Sequence, residues 1–317
     1  MSLTNKERYR QLCETEGSRI PLFLQYWWME TVCQGKQWDV LLCEHNGTIV
    51  GALPYLYGKK LGMKYILQPQ LTPWNGPWLS HTLDFSGRQA TLSALAADLN
   101  DQKALLCMQC FSPEITDWQP FHWNGFRQTT RYTYRFPSLD NPDALYSAAP
   151  RIRRRYDKGV EAECVVDKQL TIDEFIPFHI DYYKRQGQRD LVPEELMRRV
   201  ITTACGRNQG LLWGLRRRSD QNLCNRNDLM AAWFVAFDDN CGWSLLLAIG
   251  EEAPKGSMSY LMWQMLRHLS TLTRSFDFEG GMDANLAFFY SSFGTIQTPF
   301  HCVYQSRIPF LDRLLRL

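Results

Sequence analysis

The chain has 317 residues, 45% of them apolar and 21% charged, with a formal net charge of +2. That composition excludes a disordered or fibrous protein, and the near-neutral charge excludes a general electrostatic drive toward DNA, leaving only local basic patches to consider. The length allows two domains, or one domain made of two fused halves.

No apolar stretch is long enough to cross a bilayer, and the first residues, MSLTNKERYRQLCE, are charged where a signal peptide is apolar. A cytoplasmic protein is expected. The ten cysteines are scattered along a chain too long to need disulfide staples, so they read as reduced thiols. Cys107 and Cys110 form one CMQC without a second pair or a histidine pair, and their odd spacing on a strand turns them to opposite faces; no metal is expected.

In chain order, a short helix is predicted around Leu24 to Cys33. WDVLLCEHNGTIVGALPYLYG then holds two apolar runs about an Asn-Gly pair, a strong hairpin signal. KYILQP is a third strand, and LTPWNGPWLS a Pro/Gly loop carrying Trp74 and Trp78. The pattern predicts a helix over 87–99, a strand at ALLCMQC, a short helix stopped by Gly125, and a strand at RQTTRYTYRF.

The second half repeats this order. A basic helix, DALYSAAPRIRRRYDKG, is followed by the strand EAECVVD and the helices TIDEFIPFHIDYYKRQG and VPEELMRRVITTAC. Three antiparallel strands follow, GLLWGLRR, LMAAWFVAF and WSLLLAIG. SMSYLMWQMLRHLSTL is a helix, RSFDFEG a strand, ANLAFFYSSFG a short helix and TPFHCVYQ the closing strand. Gly125 and Gly294 occupy equivalent slots, so duplication of one α/β module is the simplest reading, with the boundary in the polar turn at 138–145. The expected modules are 1–140 and 141–317, each a mixed, mostly antiparallel sheet flanked by helices.

Chemistry concentrates in SFDFEGGMDANLAFFYSSFG. On a strand over 275–279, Phe276 and Phe278 share one face and Asp277 and Glu279 the other. Two carboxylates inside an α/β sheet are costly unless their face opens on a water-filled cleft, and like charges there suit one of them to act as a general base. The glycine pair lets the chain turn sharply. A second feature, LLLAIGEEAPKGSMSYLMW, runs strand, tight loop, helix start; the first-turn N–H groups at Gly256, Ser257 and Ser259, with Lys255 beside them, make an anion site. A third, RIRRRYDKG, puts Arg153 and Arg154 in a basic run that reads as a solvated face or a local phosphate clamp.

Taken together, hairpin, strand, loop, helix, strand and short helix ending in glycine resemble the GNAT acyltransferase superfamily. Two such copies, the second opened by RIRRRYDKG, resemble the Fem-type aminoacyltransferases and the acetyltransferases of polysaccharide biosynthesis. NGTIVGALPYLYG, NGPWL, PRIRRRYDKGVEAE, FDFEGG and FFYSSFG carry the likeness. Two departures stand out: of the family's pyrophosphate loop APKGSMS keeps only Gly256, and the lysine of the Fem-type Phe-Lys-x-x-Phe-Gly is Tyr290 here.

Tyr290 lies four residues before Gly294, where simple GNAT enzymes place the tyrosine that protonates departing coenzyme A. The resemblance therefore implies an acyl-CoA donor, with the loop residues, Asn285 and the arginines holding it. Asp277 or Glu279 would take the acceptor's proton, Tyr290 would return one to sulfur, and Trp74 and Trp78 would either line a groove for a small-molecule, sugar or peptide acceptor or anchor their loop as buried indoles. An aminoacyl-tRNA-dependent transferase and a non-catalytic binding protein remain alternatives.

Overall fold

The computed structural model describes residues 3–60, 62–151, 154–187, 192–218 and 228–308. In chain order the elements are α1 (Asn5–Glu16), α2 (Tyr26–Cys33), β1 (Gln37–His45), β2 (Thr48–Lys60), β3 (Met63–Leu67), β4 (Trp78–Leu79), α3 (Phe85–Asp101), β5 (Leu106–Cys110), α4 (Gln119–Trp123) and β6 (Arg127–Phe136). There follow α5 (Pro142–Ala148), α6 (Asp157–Glu163), β7 (Cys164–Asp167), α7 (Ile172–Arg185), α8 (Glu194–Gly206), β8 (Gly210–Arg217), β9 (Leu229–Phe237) and β10 (Cys241–Ile249). The chain closes with α9 (Ser257–Leu269), β11 (Ser275–Asp277), α10 (Ala284–Ser291) and β12 (Ile296–Ser306).

The expected hairpin forms, with Asn46 and Gly47 both at positive φ between β1 and β2, as the two-residue turn requires. Helix α1 is an addition to the expected elements. Its signal was present in Thr4-Asn5-Lys6-Glu7, which forms a capping box satisfying two backbone donors. The predicted basic helix is instead α5 and α6, separated at Pro150, a residue that cannot continue a helix hydrogen-bond ladder.

Two compact units result, Met1–Tyr132 with Thr298–Leu317, and Thr133–Gln297. The division falls within β6, upstream of the 138–145 turn, and the closing strand β12 is counted with the first unit. In that unit the strand order is β1-β2-β3-β5-β12, with β3 and β5 parallel and the other pairs antiparallel. Its core packs α3 and α4 on the sheet through Leu92, Leu95, Phe111, Phe121 and Phe126.

In the second unit the order is β7-β8-β9-β10-β11, with the 133–136 end of β6 beyond β11. Among the described residues only β10 and β11 are parallel here, joined by the crossover helix α9. All nine residues of β9 are buried, as a central strand covered on both faces demands. Trp233, Trp263, Phe276, Phe278 and Phe293 fill this core. The prediction of mixed, mostly antiparallel sheets flanked by helices holds. What differs is membership: RQTTRYTYRF ends against β11, and TPFHCVYQ pairs with β5.

Candidate active site

β10 and β11 pair from Cys241–Ser275 to Trp243–Asp277 and no further, although β10 continues to Ile249. Leu245 is an extra residue in β10, because the register with β9 shifts between Ser244 and Leu246, and a bulge bends its strand. β11 leaves the sheet through Glu279, Gly280 and Gly281, all at positive φ. The outer half of β10 therefore presents an edge that β11 does not cover.

The orientation of that edge follows from alternation. Gly250 donates its N–H to Met230 O at 2.8 Å, which turns Gly250 toward β9 and turns Ile249 and Leu247 away from it. Helix α7 meets this edge. His179 donates from Nδ1 to Leu247 O at 3.0 Å, and Arg185 donates to Ile249 O at 2.8 Å. A carbonyl only accepts, so Nδ1 of His179 carries the proton. The N–H groups of Leu247 and Ile249 point to the same edge as these carbonyls.

Asp277 does not face water. Its side chain is fully buried, accepts from the Thr133 hydroxyl and from the N–H of Glu279 at 2.8 Å, and lies 3.3 Å from Arg135 Nε. A cleft was one way for a carboxylate to survive in this sheet; a partly buried arginine, a hydroxyl and a backbone amide are the way adopted. Asp277 thereby pins the turn that holds Glu279 at φ 53°. Glu279 itself is half-buried. The expected strand over 275–279 is thus shorter, and the two acids have different surroundings.

Tyr290 is 4% exposed on α10, with its ring 5.0 Å from Phe278 and 6.3 Å from Tyr134. Burial first, then the Glu279 carboxylate, with Tyr183 and Tyr182 behind it, raises its phenol far above the ordinary range, so it keeps its proton at neutral pH. Glu279 and Tyr290 are brought together. Tyr134, whose hydroxyl accepts from Gln297 at 3.0 Å, and Tyr182, Tyr183 and His179 were missed by sequence reasoning, since no local motif marks them.

Helix α9 begins with Gly256 as its N-cap, at φ 93°, without a capping side chain. Ser257 turns its hydroxyl inward onto Pro254 O at 2.7 Å, and Ser259 is buried, so neither hydroxyl is presented outward. The first-turn N–H groups of Met258 and Ser259 have no intrahelical acceptor, by the geometry of any helix start. Lys255 is exposed beside them, as are Glu251 and Glu252. A Cβ at Gly256 would stand 2.7 Å from Cβ of Tyr156, so the backbone packs directly on that tyrosine. Arg155 stacks on Tyr156 at 4.5 Å, while Arg154 donates to Ala149 O at 3.2 Å. Arg153 lies outside the described residues.

Three expected residues sit elsewhere. Asn285 is exposed, with its N–H given to the capping Asp283 at 2.9 Å. Trp74 is buried against Phe23 and Phe300, and Trp78 is buried with its indole donating to Arg19 O at 3.0 Å. They are loop anchors in the first core, because a large apolar ring gains more from burial than from lining a wet groove. Exposed apolar surface gathers instead around α10, at Met282, Leu286, Phe288 and Ile296. Two cavities of 640 and 720 Å³ open on the first unit, the second between β1, β2 and the start of α3; neither touches any residue expected at the site.

Among the described residues no helix is long and apolar enough to cross a membrane, and no group of three or more His, Cys, Asp or Glu gathers as metal ligands do.

A meander of antiparallel strands, a parallel strand reached through a helix, and a bulged strand parting from its neighbour define a GNAT acyltransferase fold. Residues 147–286 match the acetyltransferase (GNAT) domain family. FemX has the same fold over 95% of this chain and 96% of its own, at 14% identity and a TM-score of 0.69. The C-terminal domain of a putative lysylphosphatidylglycerol synthetase from Agrobacterium fabrum covers 95% and 93%, at 12% identity and 0.59. A tandem GNAT protein from the clavulanic acid biosynthesis pathway covers 87% and 85%, at 11% identity and 0.52. No curated protein sequence matches. The chain is a tandem GNAT-fold protein resembling the Fem-type aminoacyltransferases.

Proposed function

We propose that the second unit is an acyltransferase site that takes an acyl thioester between β10 and the departing β11 and passes the acyl group to an amine or hydroxyl. The observation that carries this is the end of β10–β11 pairing at Trp243–Asp277 while β10 runs on to Ile249. The thioester carbonyl would lie along the outer edge of β10, where the N–H of Leu247 would stabilise the oxyanion. Glu279, rather than Asp277, takes the acceptor's proton, directly or through water. Collapse of the tetrahedral intermediate breaks the carbon–sulfur bond, and Tyr290, which stays protonated, supplies the proton to sulfur. Asp277 is a positioning residue that holds Glu279. The N–H groups of Met258 and Ser259, with Lys255, would meet the donor's pyrophosphate. The apolar surface of α10 favours an acceptor or acyl chain carrying hydrocarbon.

A second reading, an aminoacyl-tRNA donor, is supported by the likeness to FemX. A thermal-shift series separates the two, since a ligand of the native state raises melting with saturation. Coenzyme A, acetyl- and longer acyl-coenzyme A should shift melting under the first reading. Charged tRNA alone should do so under the second, with a shift that collapses as salt is added. No shift with any of them removes both.

A further inference from the structure

The first unit contains a pair of thiols that neither the fold nor the acyl-transfer reading uses. Cys110 on β5 and Cys302 on β12 are directly opposite in register and 192 positions apart in sequence, and their sulfurs are 2.8 Å apart. Both are buried, at 3% and 0% exposure, with Met108 and Phe300 around them.

The backbone explains the closeness. One step along the same register, Phe111 donates its N–H to His301 O at 2.7 Å, so that pair is a hydrogen-bonded one. Alternation then makes Cys110 and Cys302 a non-hydrogen-bonded pair, in which Cα atoms stand about 4.5 Å apart and side chains lean together. That separation lies inside the range of about 4.4–6.8 Å over which disulfides form. The other edge of β5 is fixed as well: Cys110 N–H donates to Gln68 Oε1 at 3.1 Å and Cys110 O accepts from Asn75 N–H at 3.0 Å. Cys107, three residues away, faces the aromatic core with Phe111 and Phe121, and burial pushes its thiol up to about 12.

We propose that Cys110 and Cys302 are a disulfide-forming dithiol, oxidised by hydrogen peroxide to an intrachain bond that ties β12 to β5. Cys302 is the thiol that reacts first: the S–H of Cys110 donates to its sulfur, and Arg131 adds positive charge, so its thiolate is the easier to form. Its sulfur attacks the O–O bond, an S–O bond forms, the O–O bond breaks, and one water leaves with the proton released by the thiol. The Cys110 sulfur then attacks the sulfenic sulfur; the S–S bond forms, the S–O bond breaks and a second water leaves. Two electrons pass from the thiols to the peroxide, and no other oxidant is required.

The test uses the whole chain in two arms. Folded, fully reduced protein is treated with hydrogen peroxide, and denatured, reduced protein is refolded in an oxidised glutathione buffer, which removes any limit set by burial. Blocking with an alkylating reagent, digestion and mass spectrometry without reductant should give a 110–302 linked peptide lighter by two hydrogens. It should appear in both arms, with melting raised by several degrees and reversed by a reductant. Cys110→Ser should abolish the link and Cys107→Ser should retain it. If the refolding arm yields separately alkylated Cys110 and Cys302, or links Cys302 to Cys107, the proposal is overturned.

Discussion

Among the described residues each unit holds one pair of parallel strands that part after a short run, and the two gaps are treated differently. In the first unit β3 and β5 pair only at Tyr65–Leu106 and Ile66–Cys107. The backbone of β5 beyond that point is satisfied by the chain's own loop, with the Gln68 side chain on the N–H of Cys110 and Asn75 N–H on its carbonyl. In the second unit β10 and β11 part after Trp243–Asp277, and α7 side chains reach two carbonyls of the β10 edge. A gap closed by main chain and a side-chain amide is structural. The gap reached by α7 side chains is the one to which the acyl donor is assigned in the proposed function.

Asp277→Ala sharpens that contrast most strongly. It leaves the mostly buried Arg135 without its carboxylate, and about 3–5 kcal/mol of stability should be lost in urea denaturation. A near-neutral outcome would mean that the acid is not the anchor of the turn. Tyr290→Phe should lower turnover by about 100-fold or more while leaving melting within a degree or two of the parent, as expected for a proton donor.

The same tyrosine has a pH signature. Its phenol is raised in the folded state above its usual 10.0, so its contribution to stability is complete below that pH and is lost as pH rises beyond it, where the unfolded chain ionises first. Stability measured in alkaline buffers should fall there, and less steeply in Tyr290→Phe.

Gly256→Ala forces a side chain onto Tyr156 at a φ of 93°, and a loss of about 1–2 kcal/mol is expected together with a weaker response to the donor. The smallest effect belongs to the first gap. Gln68→Ala removes one acceptor from Cys110 N–H and should lower stability by about 1 kcal/mol, with donor response unchanged in a thermal-shift assay.

Much of this was legible in the sequence, for identifiable reasons. Strand and helix order, the Asn-Gly hairpin and the glycine stops at Gly125 and Gly294 are set by local pattern, and local pattern is what a sequence displays. The partner of a closing strand is a long-range choice: nothing within TPFHCVYQ says that it pairs with β5, and nothing in RQTTRYTYRF says that its end meets β11. Alternation separated Asp277 from the phenylalanines but carried no information on what covers its face, and Thr133 and Arg135 are far away in the chain. The place of Tyr290 on a short helix before Gly294 was legible because that spacing is local. Trp74 and Trp78 stayed undecided between two readings because an aromatic in a Pro/Gly loop reads the same whether it lines a groove or plugs a core.

The central claim is that the acyl donor lies along the outer edge of β10. Amide hydrogen exchange, resolved to short peptides and recorded with and without whichever donor raises melting, tests it most directly. Slower exchange across 245–259 in the presence of donor, with β3 and β5 unchanged, is the predicted result. Unaltered exchange across 245–259, or slowing confined to the first unit, would contradict it.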